Sequence, residues 1–257
     1  MIIGFREDTI VLMESQQNNR ILILGASSGI GQEVARQLIN MGWTVSVAAR
    51  REAPLVSLKA IEPSRVEYAV VDILAEDACA RLQQLADRTG GIDIYLHAAG
   101  IGSQNRQLVL QTEEETVRTN ALGFTRAMNW AYHYFEQQGK GHIAVISSIA
   151  GTKGLGPAPA YSATKAFQAN YIEALEQLAR QQGHDIRFTD IRPGFVDTPL
   201  LGESPAYPML MSVADVARSI IKSLVHEDDV KVIDWRYRTL VGLWRLLPRW
   251  VWKRMRI

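Results

Sequence analysis

The sequence predicts a single α/β domain, a doubly wound parallel sheet with helices on both faces. Three observations predict it. From residue 20 to about 235, short apolar runs alternate with amphipathic stretches, the pattern of strands joined by crossover helices. The first run ends in a glycine-rich turn that opens onto a helix. The 257 residues contain no repeat and no low-complexity linker that would mark a second domain.

RILILG (20–25) reads as a buried strand, and IGQEVARQLINMG (30–42) as the helix after it, closed by a glycine. TVSVAAR (44–50) is the second strand, followed by a loose segment containing Pro54. VEYAVVD (66–72) is the third strand, and AEDACARLQQLADRTG (75–90) a helix. IDIYLHAAG (92–100) is the fourth strand, followed by a long helical region from about Thr112 to Gln138. HIAVISS (142–148) is the fifth, and a helix from about Ala158 to Gln182 follows it. IRFTDIRPG (186–194) is the sixth, SVADVARSIIKSLVH a helix capped by Ser212, and VKVIDW (230–235) the last strand. Ligands in such sheets bind beyond the carboxyl ends of the strands, so function is expected just after residues 25, 50, 72, 97, 148 and 193.

Composition narrows the class. Hydrophobic residues make up 47% and charged residues 21%, an ordinary soluble balance, and a net charge of +1 offers no global attraction for nucleic acid. The lone Cys79 excludes an intrachain disulfide and reads as a packing residue on a helix; this points to a reducing, cytoplasmic setting. Residues 1–19 form a leader without signal-peptide character, because Arg6, Glu7 and Asp8 interrupt its apolar stretch, and Met13 offers an alternative start. The five histidines have no metal-ligand spacing, so no metal is expected.

Two motifs carry chemistry. In AYSATKAF, Tyr161 and Lys165 are four residues apart, hence on one face of a helix. A free phenol titrates near pH 10; a neighbouring cation favours the phenolate and makes it a better proton carrier at neutrality. In GASSGIG, glycines 25, 29 and 31 allow a tight turn and close approach of a pyrophosphate at a helix N-terminus. The second strand ends AARRE. A carboxylate for a ribose 2′-hydroxyl is missing there, and Arg50 and Arg51 can bind a 2′-phosphate, which favours NADP(H).

With these residues in place the chain resembles the classical short-chain dehydrogenase/reductase family over about residues 20 to 235. The resemblance implies a Rossmann-like domain over 20–235, with a substrate loop at 195–212; the basic, Trp-rich tail at 236–257 lies outside it. It implies a catalytic set of Asn120 (in VRTNALG), Ser148, Tyr161 and Lys165. Of two adjacent serines, the family's spacing of about thirteen residues before the tyrosine selects Ser148 over Ser147. The implied cofactor set is Gly25, Ser27, Ser28, Gly29, Ile30, Gly31, Arg50, Arg51, Asp72, Ile73, Ala98, Ala99, Gly100, Pro193, Gly194, Val196 and Thr198, together with Tyr161 and Lys165. Two departures stand out: Leu24 where threonine is common, and His97-Ala98 where the family carries asparagines. His97 is expected to satisfy a backbone group.

The resemblance implies a hydride transfer between a nicotinamide and a carbonyl or secondary alcohol. Tyr161 would be the general acid/base and Ser148 the oxyanion donor. Lys165 would lower the tyrosine pKa, and Asn120 would hold a water on the lysine. Apolar residues in 195–212 suit a hydrophobic substrate. A non-catalytic NADP(H) sensor on the same fold, and a membrane-associated reductase subunit, are the alternatives. A homo-oligomer, dimer or tetramer, is expected.

The tail is unusual. Residues 235–257 hold Trp235, Trp244, Trp250 and Trp252 and seven Lys or Arg, with Asp234 the acid just before them. Pro248 should break this segment into two short helices. Three readings stand open: peripheral contact with the inner face of a membrane, an arm or flap over the substrate site, or an unstructured tail.

Overall fold

The computed structural model describes residues 20–201 and 207–255. The leader (1–19), the centre of the substrate loop (202–206) and residues 256–257 lie outside the described residues. Seven parallel strands form one sheet in the order β3-β2-β1-β4-β5-β6-β7. The chain runs β1 (Arg20–Leu24), α1 (Gly29–Asn40), β2 (Thr44–Ala49), α2 (Glu52–Lys59), β3 (Val66–Val70), α3 (Ala78–Arg88) and β4 (Ile94–His97). It continues through α4 (Leu110–Val117), a π-helical segment (Arg118–Gly123), α5 (Phe124–Gln138), β5 (Lys140–Ile146) and a 3-10 turn (Ile149–Thr152). Then come α6 (Pro159–Gln182), β6 (Asp185–Arg192), α7 (Val213–His226), β7 (Val230–Val232), α8 (Trp235–Leu246) and α9 (Arg249–Trp252).

The strands are apolar throughout because both faces are covered. With side chains alternating across the sheet, Ile21 and Ile23 face one layer and Leu22 and Leu24 the other. The first layer adds Leu38 of α1, Leu55 of α2 and Ile220 of α7; the second adds Leu82 of α3, Phe135 of α5 and Ile172 of α6. Ser212 caps α7 as expected, its hydroxyl accepting from the Asp215 amide at 3.1 Å. Cys79 is half-buried with Sγ 3.6 Å from the Arg126 carbonyl, and burial pushes its thiol pKa up, in keeping with a packing role.

Three elements differ from the sequence reading. The segment around Pro54 is a helix, α2. Proline sits in its first turn, where a missing N–H loses no intrahelical bond. The long helical region is continuous but broadens into a π segment at Arg118–Gly123. The last strand stops at Val232, and the chain turns through Asp234 (φ 73°) into α8. Pro248 separates α8 from α9, as its ring requires.

Candidate active site

The strand order reverses direction between β1 and β4, so the loops after these strands diverge and leave a crevice at the carboxyl edge of the sheet. The glycine turn lines it. Gly25 has φ +103°, and an added Cβ would lie 2.4 Å from the Ala99 nitrogen. A Cβ on Gly31 would lie 2.5 Å from the Gly25 carbonyl and 2.9 Å from the Ala98 Cβ. These contacts bring the β1–α1 turn against Ala98 and Ala99 at the end of β4. Thr198 closes over Gly29, its Cγ2 3.3 Å from where a Cβ would stand. Arg51 reaches across from the end of β2: its Nη2 donates to the Ser28 hydroxyl at 2.7 Å and to the Ser27 hydroxyl at 3.2 Å. Arg50 is exposed. Asp72 accepts from the Leu74 amide at 3.0 Å, turning the chain after β3, and buried Ile73 packs where Gly123 has no side chain. Ile30 packs against the core at the start of α1.

The predicted catalytic residues converge from three parts of the chain: the π segment, the end of β5 and α6. Ser147 and Ser148 leave β5 in opposite senses. Ser147 donates to buried Asp190, which also pairs with Arg192 at 2.6 Å; Ser148 accepts from the Ala150 amide at 3.0 Å and its hydroxyl pulls the Tyr161 phenol pKa downward. Lys165, one turn along α6, is buried with Nζ 5.8 Å from the Tyr161 ring centre. The ammonium donates to the Ile146 carbonyl and to Gln168 Oε1, both at 2.9 Å. The Asn120 carboxamide exchanges two bonds with the Ile101 backbone, at 2.9 and 2.6 Å, tying the loop after β4 to the π segment.

Gln168 has no place in the sequence reading. It is fully buried, and its Nε2 donates to the Asn120 carbonyl at 2.9 Å. An ammonium can only donate and a carbonyl can only accept, so the two partners fix the orientation of the amide. Its carboxamide therefore links the Asn120 carbonyl to Lys165. The π segment makes this possible. In a regular α-helix the Phe124 amide would take the Asn120 carbonyl; here it turns to Thr119 and Ala121 instead. Position i+3 from a buried lysine was the one available signal. Gly102 was also missed: a Cβ there would stand 2.2 Å from Tyr161 Cδ2, so only glycine lets the phenol ring lie against this loop.

Electrostatics depart from expectation. Burial pushes the Tyr161 phenol above its ordinary value, and the Ser148 hydrogen bond opposes this. Burial also brings Lys165 down to about 8, with Asp190 pulling upward. Desolvation thus outweighs the expected lowering of the tyrosine by the lysine. His97 Nδ1 meets the Tyr95 hydroxyl at 2.9 Å, and the Ala99 backbone pulls its pKa upward. Burial, aided by the Lys165 charge, lowers His97 to about 3, so it is neutral.

The loop after β6 packs against the tail. Val196 pairs with Met211, and Phe195 stacks 4.6 Å from Tyr207. Buried Tyr237 of α8 accepts from the Phe195 amide at 3.1 Å, donates to the Pro208 carbonyl at 2.9 Å, and lays its ring on Gly194, next to Pro193. Trp244 donates to the Thr152 hydroxyl at 2.9 Å, Trp252 to the Gly154 carbonyl at 2.8 Å, and Lys153 to the Leu247 carbonyl at 3.2 Å. The described tail is thus folded onto the loops after β5 and β6. A hollow of about 610 Å³ near Arg20, His142 and Arg187 lies at the opposite, amino-terminal edge of the sheet, away from this chemistry.

A parallel sheet with its crevice at the strand reversal, and a serine, tyrosine and lysine gathered at its rim, defines an oxidoreductase of the nucleotide-binding α/β class. The model of the short chain dehydrogenase family matches residues 19–207. An uncharacterized oxidoreductase of Mycobacterium tuberculosis is 31% identical over 241 residues, covering 90% of this chain and 94% of that one. Another from Myxococcus xanthus is 29% identical over 238 residues, covering 88% and 92%. Among solved structures, a short-chain dehydrogenase from Sphingobium yanoikuyae in complex with NADPH superposes with a TM-score of 0.74 at 22% identity, covering 93% of this chain and 96% of that one. Actinorhodin polyketide ketoreductase with NADPH superposes at 0.73 and 24% identity, covering 84% and 95%. The chain belongs to the short-chain dehydrogenase/reductase family.

Proposed function

We propose that this protein is an NADP(H)-dependent reductase or dehydrogenase acting between a carbonyl and its secondary alcohol, on a hydrophobic substrate. The observation that carries the reading is the Ser148–Tyr161–Lys165 cluster at the rim of a glycine cradle, with Gln168 and Asn120 behind it. A pure binding module needs no such proton path. The residues fit a dinucleotide: Gly25 and Gly31 leave room that a Cβ would fill, α1 begins there, and Arg51 stands over Ser27 and Ser28 with no carboxylate at the end of β2. Two structural neighbours were solved with NADPH, which agrees with this cofactor. When bound, the nicotinamide supplies or accepts hydride.

The chain's own groups do the rest. Ser148 hydrogen-bonds the substrate oxygen and stabilises its developing charge. Tyr161 gives its phenolic proton to that oxygen in reduction and takes it back in oxidation. Lys165 favours the phenolate that remains, and Gln168 and Ile146 hold the lysine in place. Phe195, Tyr207 and Met209 supply an apolar wall for the substrate. Exposed Leu110, Val117, Leu122 and Phe167 on α4–α6 support self-association into a dimer or tetramer, which light scattering would measure.

Tyr161→Phe is the test. We expect at least a hundredfold loss of turnover on hydrophobic ketones, with NADPH binding retained, since positioned proton transfer contributes about 10²–10⁴-fold. A variant keeping more than about a tenth of the rate would remove Tyr161 from the mechanism.

A further inference from the structure

We propose that the outer face of the tail docks the enzyme on an anionic lipid bilayer. Tyr237, Val241 and Trp244 face inward and account for the flap contacts. They leave the other side of α8 unexplained. On a helix, Trp235, Leu243 and Leu246 fall within about 80° of one another, opposite those buried residues. They are 76%, 62% and 80% exposed, and Trp250 of α9 adds a fourth apolar group at 64%. Arg236 flanks this stripe on one side and Arg238 and Arg245 on the other, with Arg249, Lys253 and Arg254 following in and beyond α9. Arg236 pairs with Asp234; no carboxylate among the described residues lies within ion-pair distance of Arg238, Arg245, Arg249, Lys253 or Arg254.

Charge decides the occupant. Residues 235–257 carry seven cations and no acid in a chain of net charge +1, which leaves the remainder at −6. The cations therefore form a one-sided patch that would turn this face toward negative charge. A second copy of the chain meeting this face across a two-fold axis would set like charges against one another. A bare polyanion would satisfy the arginines but leave Leu243, Leu246 and Trp250 in water. An anionic interface takes both, with tryptophan and leucine at the acyl boundary and arginine among the headgroups. No described helix is long and apolar enough to cross a membrane, so the contact is peripheral. The inference does not depend on the reaction proposed above.

Flotation of the full chain with phosphatidylcholine vesicles, with and without phosphatidylglycerol, tests it. We expect binding only to the anionic vesicles, a blue shift of tryptophan emission, and weakening with salt. Removing basic residues should weaken binding about fivefold each, so Arg245→Gln/Arg249→Gln should lose roughly twenty- to thirtyfold. Leu243→Ser/Leu246→Ser/Trp250→Ser should abolish binding with the thermal midpoint unchanged, because these side chains are exposed. The paired arginine variant keeps the test decisive should the triple variant unfold. Absence of flotation, or equal flotation with neutral vesicles, overturns the proposal. So does retention on heparin that survives the triple substitution, or a concentration-dependent dimer that the same substitutions dissolve.

Discussion

Replacing Gln168 with leucine should move the pH profile of the enzyme, not merely lower it. The Lys165 ammonium has two acceptors, the Ile146 carbonyl and Gln168 Oε1, in a site where burial already holds it at about 8. A hydrogen bond to a charged group is worth about 1.5–3 kcal/mol. Losing one acceptor disfavours the ammonium by that amount, or about one to two pKa units. Lys165 in Gln168→Leu should therefore titrate near pH 6–7. At pH 7.5 the charged fraction falls from about three-quarters to about a tenth, so a loss of roughly sevenfold is expected there and little loss at pH 6. Gln168→Glu should act with opposite sign, because a carboxylate beside the ammonium raises its pKa. The assay is kcat/KM for the cofactor between pH 5.5 and 9.5, which reports ionisations of the free enzyme. If both variants keep the wild-type profile, or both fall by one factor at every pH, then Gln168 only packs the interior and does not position the lysine.

The other predictions are direct. Arg51→Ala should raise KM for NADPH by about tenfold or more and leave KM for NADH nearly unchanged, with Arg50→Ala acting in the same direction; equal effects on the two cofactors would remove the 2′-phosphate reading. His97, lowered from 6.5 to about 3, makes the fold acid-sensitive: below pH 6.5 the unfolded chain takes a proton the folded chain refuses, so stability falls as pH drops from 6.5 toward 3. Between pH 8 and 5 this amounts to about 2 kcal/mol, and His97→Asn should flatten the urea-unfolding stability curve by that much, whereas parallel curves would mean that His97 is not buried neutral. His142, lowered to about 4 by burial and Arg187, should behave alike on His142→Asn.

The legible part of this protein was whatever repeats locally. Strands buried on both faces are written as unbroken apolar runs, and Gly25 and Gly31 record a close approach of backbone that a side chain would prevent. The YxxxK pair is visible because four residues make one helical turn. What stayed hidden depends on geometry between elements. Gln168 looks like any polar residue in a long helix until the π segment turns the Asn120 carbonyl toward it, and nothing in RTNALG announces that widening. Gly102 reads as an ordinary loop glycine until Tyr161 is laid against it. The sign of the electrostatics was hidden for the same reason: a nearby lysine favours the phenolate, burial disfavours it, and burial is a property of the whole fold. The tail shows the converse. Its composition left membrane contact, an arm or flap, and an unstructured tail all open. Only the folded helix sorts its side chains, sending Tyr237, Trp244 and Trp252 inward to hold the loops and leaving Trp235, Leu246, Trp250 and the arginines facing out. A segment that divides its aromatics in this way has two surfaces to satisfy, so its contacts with the loops after β5 and β6 and the bilayer contact proposed above would be complementary uses of one helix.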